Sequence, residues 1–472
     1  MIFERMLHTT AKPALAWGLA IGALAMLTWA QAAAAPLMGL WIDELYSLWA
    51  SDPGVSAGES LARITGDSNP PLYFALLRAV RALVGAPHAA ILALNGLALL
   101  ATAALLLRTT QRTGLTLAAL AALALSGPVF FYFQEGRAYF IGLCLAFALS
   151  WLAALALGED GARARPRLFA TLGVLSALTH VYTALFAGCL AAGLVAHGLL
   201  SKRKELREAG FALGFATVAA FALWLASAYG RLGNVAWIEF SNASVREAFW
   251  YVRSLAVGPG LMLAPLALIL GIGAVALPRA RPLFVVFGVT AVLFVALPLA
   301  ASLKTPIING RYWLIGAPAL IVVLVMLARE FARERRRWAS VATIALLAAT
   351  AAAGFVQSRN FLRSEPVWRG AARVRALAAD CPDGGIRVAG APSFLYAQAS
   401  GLPESRFAQA AEATHSDACP VLGWFEHVRR AEGDVLSASD PDLLAELGIS
   451  ADPAGVRIER WPSGYLVLRS DD

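Results

Sequence analysis

Residues 13–42 contain no charged side chain. A bilayer's hydrocarbon core is about 30 Å thick, and a helix needs about 20 apolar residues to cross it. In that solvent every backbone N–H and C=O must be paired within the segment, so an isolated run of this kind folds as a helix. The pattern recurs. Apolar runs near 14–36, 89–107, 115–133, 138–157, 168–180, 182–200, 210–229, 255–277, 283–303, 312–328 and 339–356 predict eleven spans. Composition agrees: 15% of residues are charged and 59% hydrophobic, against about 25% charged in soluble domains. The expected fold class is an all-α polytopic membrane protein.

Basic residues orient the spans. With the N-terminus inside, the inner ends and loops hold 18 Lys and Arg, and the outer segments up to residue 356 hold 9. The positive-inside bias therefore places the N-terminus in the cytoplasm. It also makes 168–200 two passes, because basic clusters flank it at 163–167 and 202–204. The opening "RMLHTTAK", the apolar run and "AQAAAAP" resemble an export signal. Signal cores span about 7–15 residues, so an uncleaved first helix is the expectation. Residue 43 lies on the outer side in both cases. The formal charge is +12 over residues 1–356 and −4 over 357–472. The basic excess sits in inner loops facing anionic lipid, and nothing in it calls for a nucleic-acid partner.

After Phe355 the sequence turns polar and holds no further run of membrane length. A transmembrane domain over 1–356 and a periplasmic soluble α/β domain over 357–472 are expected. "GGIRVAG", "CPVLGWFE", "VRIERW" and "GYLVLRS" read as strands, and "DPDLLAELGI" as an Asp-capped helix. "EPVWRGAARVRAL" reads as an amphipathic connecting helix. Cys144 and Cys189 fall within apolar runs and serve packing. Cys381 and Cys419 form a candidate disulfide, because the periplasm is oxidising. No Cys/His spacing signals zinc.

The ionisable residues collect in the outer segments. Asp43 and Glu44 follow the first run directly, in "LWIDELYSLWASD". The loop 43–88 contains "GDSNPPLYFALLRAVRALVG", read as an interfacial amphipathic helix with Arg78 and Arg81 on its polar face. "FFYFQEGRAYF" brings Glu135 and Arg137, "LTHVYTAL" His180 and Tyr182, and "SLKTPIINGRYWLIGAPAL" Lys304, Arg311 and Tyr312. Ionisable groups within apolar segments are costly and tend to be functional. Each has a blander role open to it: helix termination, an internal ion pair, a structural histidine, snorkelling cations. Together they supply a carboxylate base, cations for a phosphate and apolar walls for a lipid tail.

"WIDELYSLW…NPPLYFALLR", "FQEGRAY", "LTHVYTALF" and "NGRYWLIGAPAL" resemble the GT-C fold glycosyltransferases. The closest likeness is to bacterial family-39-type enzymes, related to protein mannosyltransferases and the lipid A aminoarabinose transferase. It covers roughly residues 35–330 in order. It implies a multi-pass enzyme of the bacterial inner membrane that inverts the sugar carbon of a polyprenyl-phosphate-sugar donor. The acceptor would be a glycan, lipid or protein at the outer face, with membrane lipids as further partners. By position, Asp43 would be the base, Glu44 its support or an acceptor ligand, and Glu135 would line the site. Arg137, Arg311 and Lys304 would bind the donor phosphate, and Tyr46, Tyr73, His180, Tyr182 and Tyr312 the substrates. The resemblance is imperfect, since the second acidic position is Glu in "QEGR" rather than Asp. Asp43, Glu44, Glu135 and His180 could also hold a divalent metal, although no metal spacing is present. A transporter or flippase of lipid-linked sugars is the alternative. It would place ionisable groups along a path rather than at one face. A catalytically silent scaffold would leave the acid/base cluster unexplained.

Overall fold

The structure is a computed structural model that describes residues 42–67, 69–110, 113–158, 164–228, 241–305 and 307–364, with short pieces between 385 and 469. Two compact units result. One is built around residues 53–360, and the other joins 361–472 to the stretch ending at Asp52. Helix α1 (Ile42–Ala50) falls in the second.

The first unit is helical. In chain order it contains α2 (Ala57–Thr65), α3 (Leu72–Val84), α4 (Pro87–Thr109), α5 (Thr113–Ala124), α6 (Gly127–Tyr132), α7 (Tyr139–Leu157) and α8 (Pro166–Thr179). It continues through α9 (Val181–Leu200), α10 (Lys204–Ala228), α11 (Asn242–Ala256), α12 (Leu263–Ala276) and α13 (Arg281–Ser302). It ends with α14 (Gly310–Trp313), α15 (Ala317–Arg333) and α16 (Arg337–Ser364).

Among the described residues 7 helices are long and apolar enough to cross a membrane, or 8 if one bent pair counts as a single span. Seven expected spans (89–107, 138–157, 182–200, 210–229, 283–303, 312–328 and 339–356) correspond to these helices. The run 14–36 lies outside the described residues. The other three need correction. The run at 115–133 is interrupted: α5 stops at Ala124, Ser126 is extended (φ −74°, ψ 147°), and α6 restarts with Pro128 near its beginning. Pro128 has no N–H to bond back toward α5 and fits a helix only in its first turn, which localises the break. The run at 168–180 becomes the 14-residue α8, short for a crossing. The run at 255–277 is bent by 75° between α11 and the following segment. Gly258 there has φ 97°, in the left-handed region, and Pro259 follows it.

Helix α7 is the core. All 19 of its residues are buried, which suits a sequence apolar on every face. It packs against α4, α8, α9 and α15. The surrounding helices approach closely at glycines, as expected where apolar helices associate by backbone proximity. A Cβ on Gly193 of α9 would lie 2.6 Å from the Val286 carbonyl oxygen of α13, and one on Gly173 of α8 would lie 2.9 Å from the Leu213 carbonyl oxygen of α10. Cys144 and Cys189 are buried free thiols.

Helix α3 is amphipathic as expected, but Arg81 is not on its polar face. Tyr73, Leu77 and Arg81 recur every fourth residue and share the buried stripe, while Leu83 is 88% exposed. Arg78 donates from Nη2 to the Val55 carbonyl at 2.7 Å.

In the second unit five strands form one mixed sheet in the order β2-β1-β3-β5-β4. These are β1 (Ile386–Ala389), β2 (Phe407–Gln409), β3 (Val421–Gly423), β4 (Val456–Trp461) and β5 (Gly464–Arg469). Strand β1 is parallel to β2 and β3, and β5 is antiparallel to β3 and β4. The four expected strands are present. Strand β2, only three residues long, was not foreseen, because neither Ala nor Gln favours a strand. Cys381, Cys419, "DPDLLAELGI" and "EPVWRGAARVRAL" lie outside the described residues.

Gly193→Val should drive Cβ into the α13 backbone and cost about 1–3 kcal/mol by overpacking. Gly188→Val on the same helix has nothing within 4 Å of its Cβ and should stay within about 0.5 kcal/mol of the parent. Thermal unfolding of the purified protein in detergent measures both.

Candidate active site

Three interruptions in the helical unit meet at one place. The turn between α6 and α7 carries Glu135 and Arg137. The single residue between α8 and α9 is His180. The segment between α13 and α14 leads to Arg311 and Tyr312.

The first turn is held from α4. Asn95, fully buried in the middle of that helix, donates from Nδ2 to the Phe133 carbonyl at 2.8 Å and to the Glu135 carbonyl at 3.2 Å. These carbonyls lie just beyond the end of α6, where the helix no longer supplies partners. The third segment is tied to its neighbours in the same manner. The Tyr132 hydroxyl donates to the Arg311 carbonyl at 3.1 Å, and the Tyr182 hydroxyl to the Ile307 carbonyl at 2.7 Å. The Asn309 side chain caps α14 by accepting from the Arg311 N–H at 3.0 Å.

The charges follow from this frame. Arg311 Nη1 lies 3.9 Å from Glu135 Oε1; the arginine side chain is 21% exposed and the glutamate 2%. Tyr251 of α11 sits beside both Tyr132 and the Arg311 guanidinium. Arg137 Nη1 lies 3.6 Å from Asp67 Oδ2, with both side chains largely buried. Asp67 also accepts from the Asn69 backbone and side-chain nitrogens at 3.2 Å. Two carboxylate–guanidinium pairs thus share one turn.

His180 has a structural task as well as a place in the site. It is extended (φ −160°, ψ 145°), ends α8 and caps α9, its Nδ1 accepting the Tyr182 N–H at 3.2 Å. A neutral imidazole that accepts at Nδ1 carries its proton on Nε2. Burial, and secondarily the Arg137 charge, push its pKa down to about 3, which keeps it neutral. Its ring centroid is 5.1 Å from that of Tyr139 and 5.4 Å from that of Tyr312, and Tyr312 is 4.8 Å from Tyr182. The outcome is an aromatic wall beside the Glu135–Arg311 pair.

The expected residues divide as follows. Glu135, Arg137, His180, Tyr182, Arg311 and Tyr312 are brought together. Tyr73 is 1% exposed and packs edge-on to Phe74. Lys304 is exposed, with no side-chain partner among the described residues. Asp43, Glu44 and Tyr46 lie on α1 in the other unit. Glu44 is 3% exposed, and Tyr46 packs against Trp49 at 5.4 Å. Among the described residues no group of three or more His, Cys, Asp or Glu could hold a metal ion.

Asp67, Asn95, Tyr132 and Tyr251 were not anticipated. Asp67 did leave a signal, since Asp-x-Asn before Pro is an Asx-turn pattern. A lone Asn inside an otherwise apolar run also marks a polar partner elsewhere.

Residues 51–250 match a family described as a domain of unknown function, DUF6311. No curated protein matches the chain in sequence. Among solved structures the chain is similar to ArnT from Cupriavidus metallidurans bound to undecaprenyl phosphate. The two are 13% identical with a TM-score of 0.56, over 95% of this chain and 98% of that one. The apo form of the same ArnT gives 14% identity and a TM-score of 0.55 over the same shares of each chain. The chain is a multi-pass membrane protein with the GT-C fold.

Proposed function

We propose that this protein is an inverting glycosyltransferase of the bacterial inner membrane. It would move a sugar from a polyprenyl-phosphate donor to a glycan, lipid or protein acceptor at the outer face. The observation that carries this reading is the Arg311–Glu135 pair. The guanidinium is one-fifth exposed and stands 3.9 Å from its carboxylate, at the long end of the ion-pair range, among aromatic side chains. A cation so held can exchange part of its pairing for a phosphate oxygen. The shared fold supports the same ligand class, because the similar ArnT is bound to undecaprenyl phosphate.

In the proposed reaction the acceptor hydroxyl oxygen attacks the anomeric carbon from the face opposite the phosphate. Asp43 takes the hydroxyl proton as the new C–O bond forms. The bond from the anomeric carbon to the phosphate oxygen breaks, and its electron pair leaves on polyprenyl phosphate. That leaving group needs charge stabilisation rather than a proton, and Arg311 and Arg137 supply it, with Lys304 at the entrance. Glu44 supports Asp43 or binds the acceptor. Glu135 orients Arg311, and Asp67 does the same for Arg137. Tyr46, Tyr312 and the Nε2–H of His180 contact substrate, while Tyr182 forms the wall behind Tyr312 and His180. The N-terminus is taken as cytoplasmic and the C-terminal domain as periplasmic.

The bent pair α11–α12 speaks for a flippase, since broken helices are common in transporters. Detergent solution separates the two readings, because transfer chemistry proceeds there and transport between leaflets does not exist.

The purified protein should release polyprenyl phosphate from at least one member of a panel of polyprenyl-phosphate sugars, followed by mass spectrometry. Absence of release across the panel, with and without candidate acceptors, refutes the enzyme. Arg311→Ala should lower turnover about 10²–10³-fold, equivalent to about 3–4 kcal/mol. Asp43→Asn should abolish transfer and leave lipid-phosphate binding intact; near-normal turnover removes Asp43 as base.

His180 gives a separate pH test. Its folded pKa of about 3 lies below the ordinary 6.5, so between these values the unfolded chain takes up the proton first. Stability from this group is complete above about pH 6.5 and declines as the pH falls, by at most about 1.4 kcal/mol per unit. His180→Gln should flatten the acid side of the unfolding-temperature profile between pH 4.5 and 7, on top of a pH-independent drop from loss of the α9 cap.

A further inference from the structure

Gln134 lies between the two carbonyls that Asn95 pins, immediately before Glu135. Its side chain belongs to a residue only 2% exposed, and neither Oε1 nor Nε2 has a hydrogen-bond partner among the described residues. Buried polar groups are nearly always paired, and an amide with both ends unpaired is a net destabiliser of the ligand-free chain. Leucine would fill the same space without that cost. The flanking backbone carbonyls are satisfied, so the unpaired amide is not a sign of a loosely built turn.

The chemistry of the amide selects its ligand. It offers two N–H donors and one carbonyl acceptor. A phosphate oxygen accepts only, so it would serve Nε2 and confront both Oε1 and the neighbouring Glu135 carboxylate. An ammonium donates only. A hydroxyl does both, and two adjacent hydroxyls of a sugar ring match an amide face to face. The side chain has rotatable bonds enough to swing its amide, while Asn95 keeps the backbone of the turn in place. We infer that Gln134 is a carbohydrate-binding residue that pairs with ring hydroxyls of the transferred sugar, on a turn positioned by Asn95. This rests on the glycosyltransferase reading above and adds to it the group that distinguishes the sugar from its phosphate carrier.

Two probes separate the arms: undecaprenyl phosphate alone, and undecaprenyl phosphate carrying a hexose or pentose. Binding of each is measured on the full-length protein in detergent, for the parent, Gln134→Leu and Gln134→Met. The parent should bind at least one sugar-bearing lipid more tightly than the bare lipid phosphate. Both variants should bind the bare lipid within about twofold of the parent and lose about 10–100-fold on the sugar-bearing one, the range expected for one or two hydrogen bonds. Unfolding temperatures of the ligand-free variants should equal or exceed the parent's, because an unpaired buried amide has been replaced by an apolar group. A variant that keeps the parent's preference for the sugar-bearing lipid overturns the inference. So does a drop in unfolding temperature together with loss of both probes, which marks a structural role. Equal binding of both probes by the parent overturns it and leaves the lipid-phosphate reading standing. Binding of neither overturns both.

Discussion

A helix interrupted inside an apolar bundle leaves backbone groups that water cannot reach, and each needs a partner from elsewhere in the chain. This constraint organises the site. Three interruptions lie side by side, and each is closed by side-chain to backbone hydrogen bonds. Asn95 serves the carbonyls of Phe133 and Glu135. Tyr132 serves the carbonyl of Arg311, Tyr182 that of Ile307, and His180 the amide of Tyr182. Those bonds hold three sequence-distant segments in one register. The charged side chains they carry are positioned as a consequence.

The charges come at a desolvation cost that their pairing has to offset. Desolvating a carboxylate and a guanidinium costs several kcal/mol per ion, and a contact at 3.9 Å returns less than a close bidentate pair would. Such pairs are poor stabilisers of a fold and good reserves for a ligand. The same holds for the buried amide of Gln134. The site thus concentrates unfavourable terms that the bundle tolerates because α7, buried along its whole length, anchors the helices around it. Local rules of stability are broken at this place, as is expected of a functional site.

Much of this was legible in the sequence because the background is so uniform. Against long apolar runs, Glu135, Arg137, His180 and Arg311 stand out as interruptions, and their alternation along the chain assigns them to one face. The residues that hold them did not stand out. Asn95 is one polar residue within an apolar helix, and its meaning depends on a turn forty positions away. Tyr132 and Tyr251 look like further aromatics in aromatic company. The charge of Arg81 suggests the polar face of α3, but its four-residue spacing from Leu77 and Tyr73 puts it on the buried one. Periodicity, not charge type, decides which face a helical residue occupies.

The sequence by itself determined the solvent of this protein, the number and order of its apolar segments, and the residues at which they stop. These follow from local terms: transfer of side chains into hydrocarbon and the demand that backbone groups be paired. It could not determine which segments are long enough to cross as single helices, since the breaks after Ala124 and at Gly258 depend on proline and glycine geometry in context. Nor could it determine which carboxylate faces which guanidinium. Pairings such as Arg137 with Asp67 and Arg311 with Glu135 join residues tens to hundreds of positions apart. They exist only once helix packing has brought the interrupted turns to one end of the bundle.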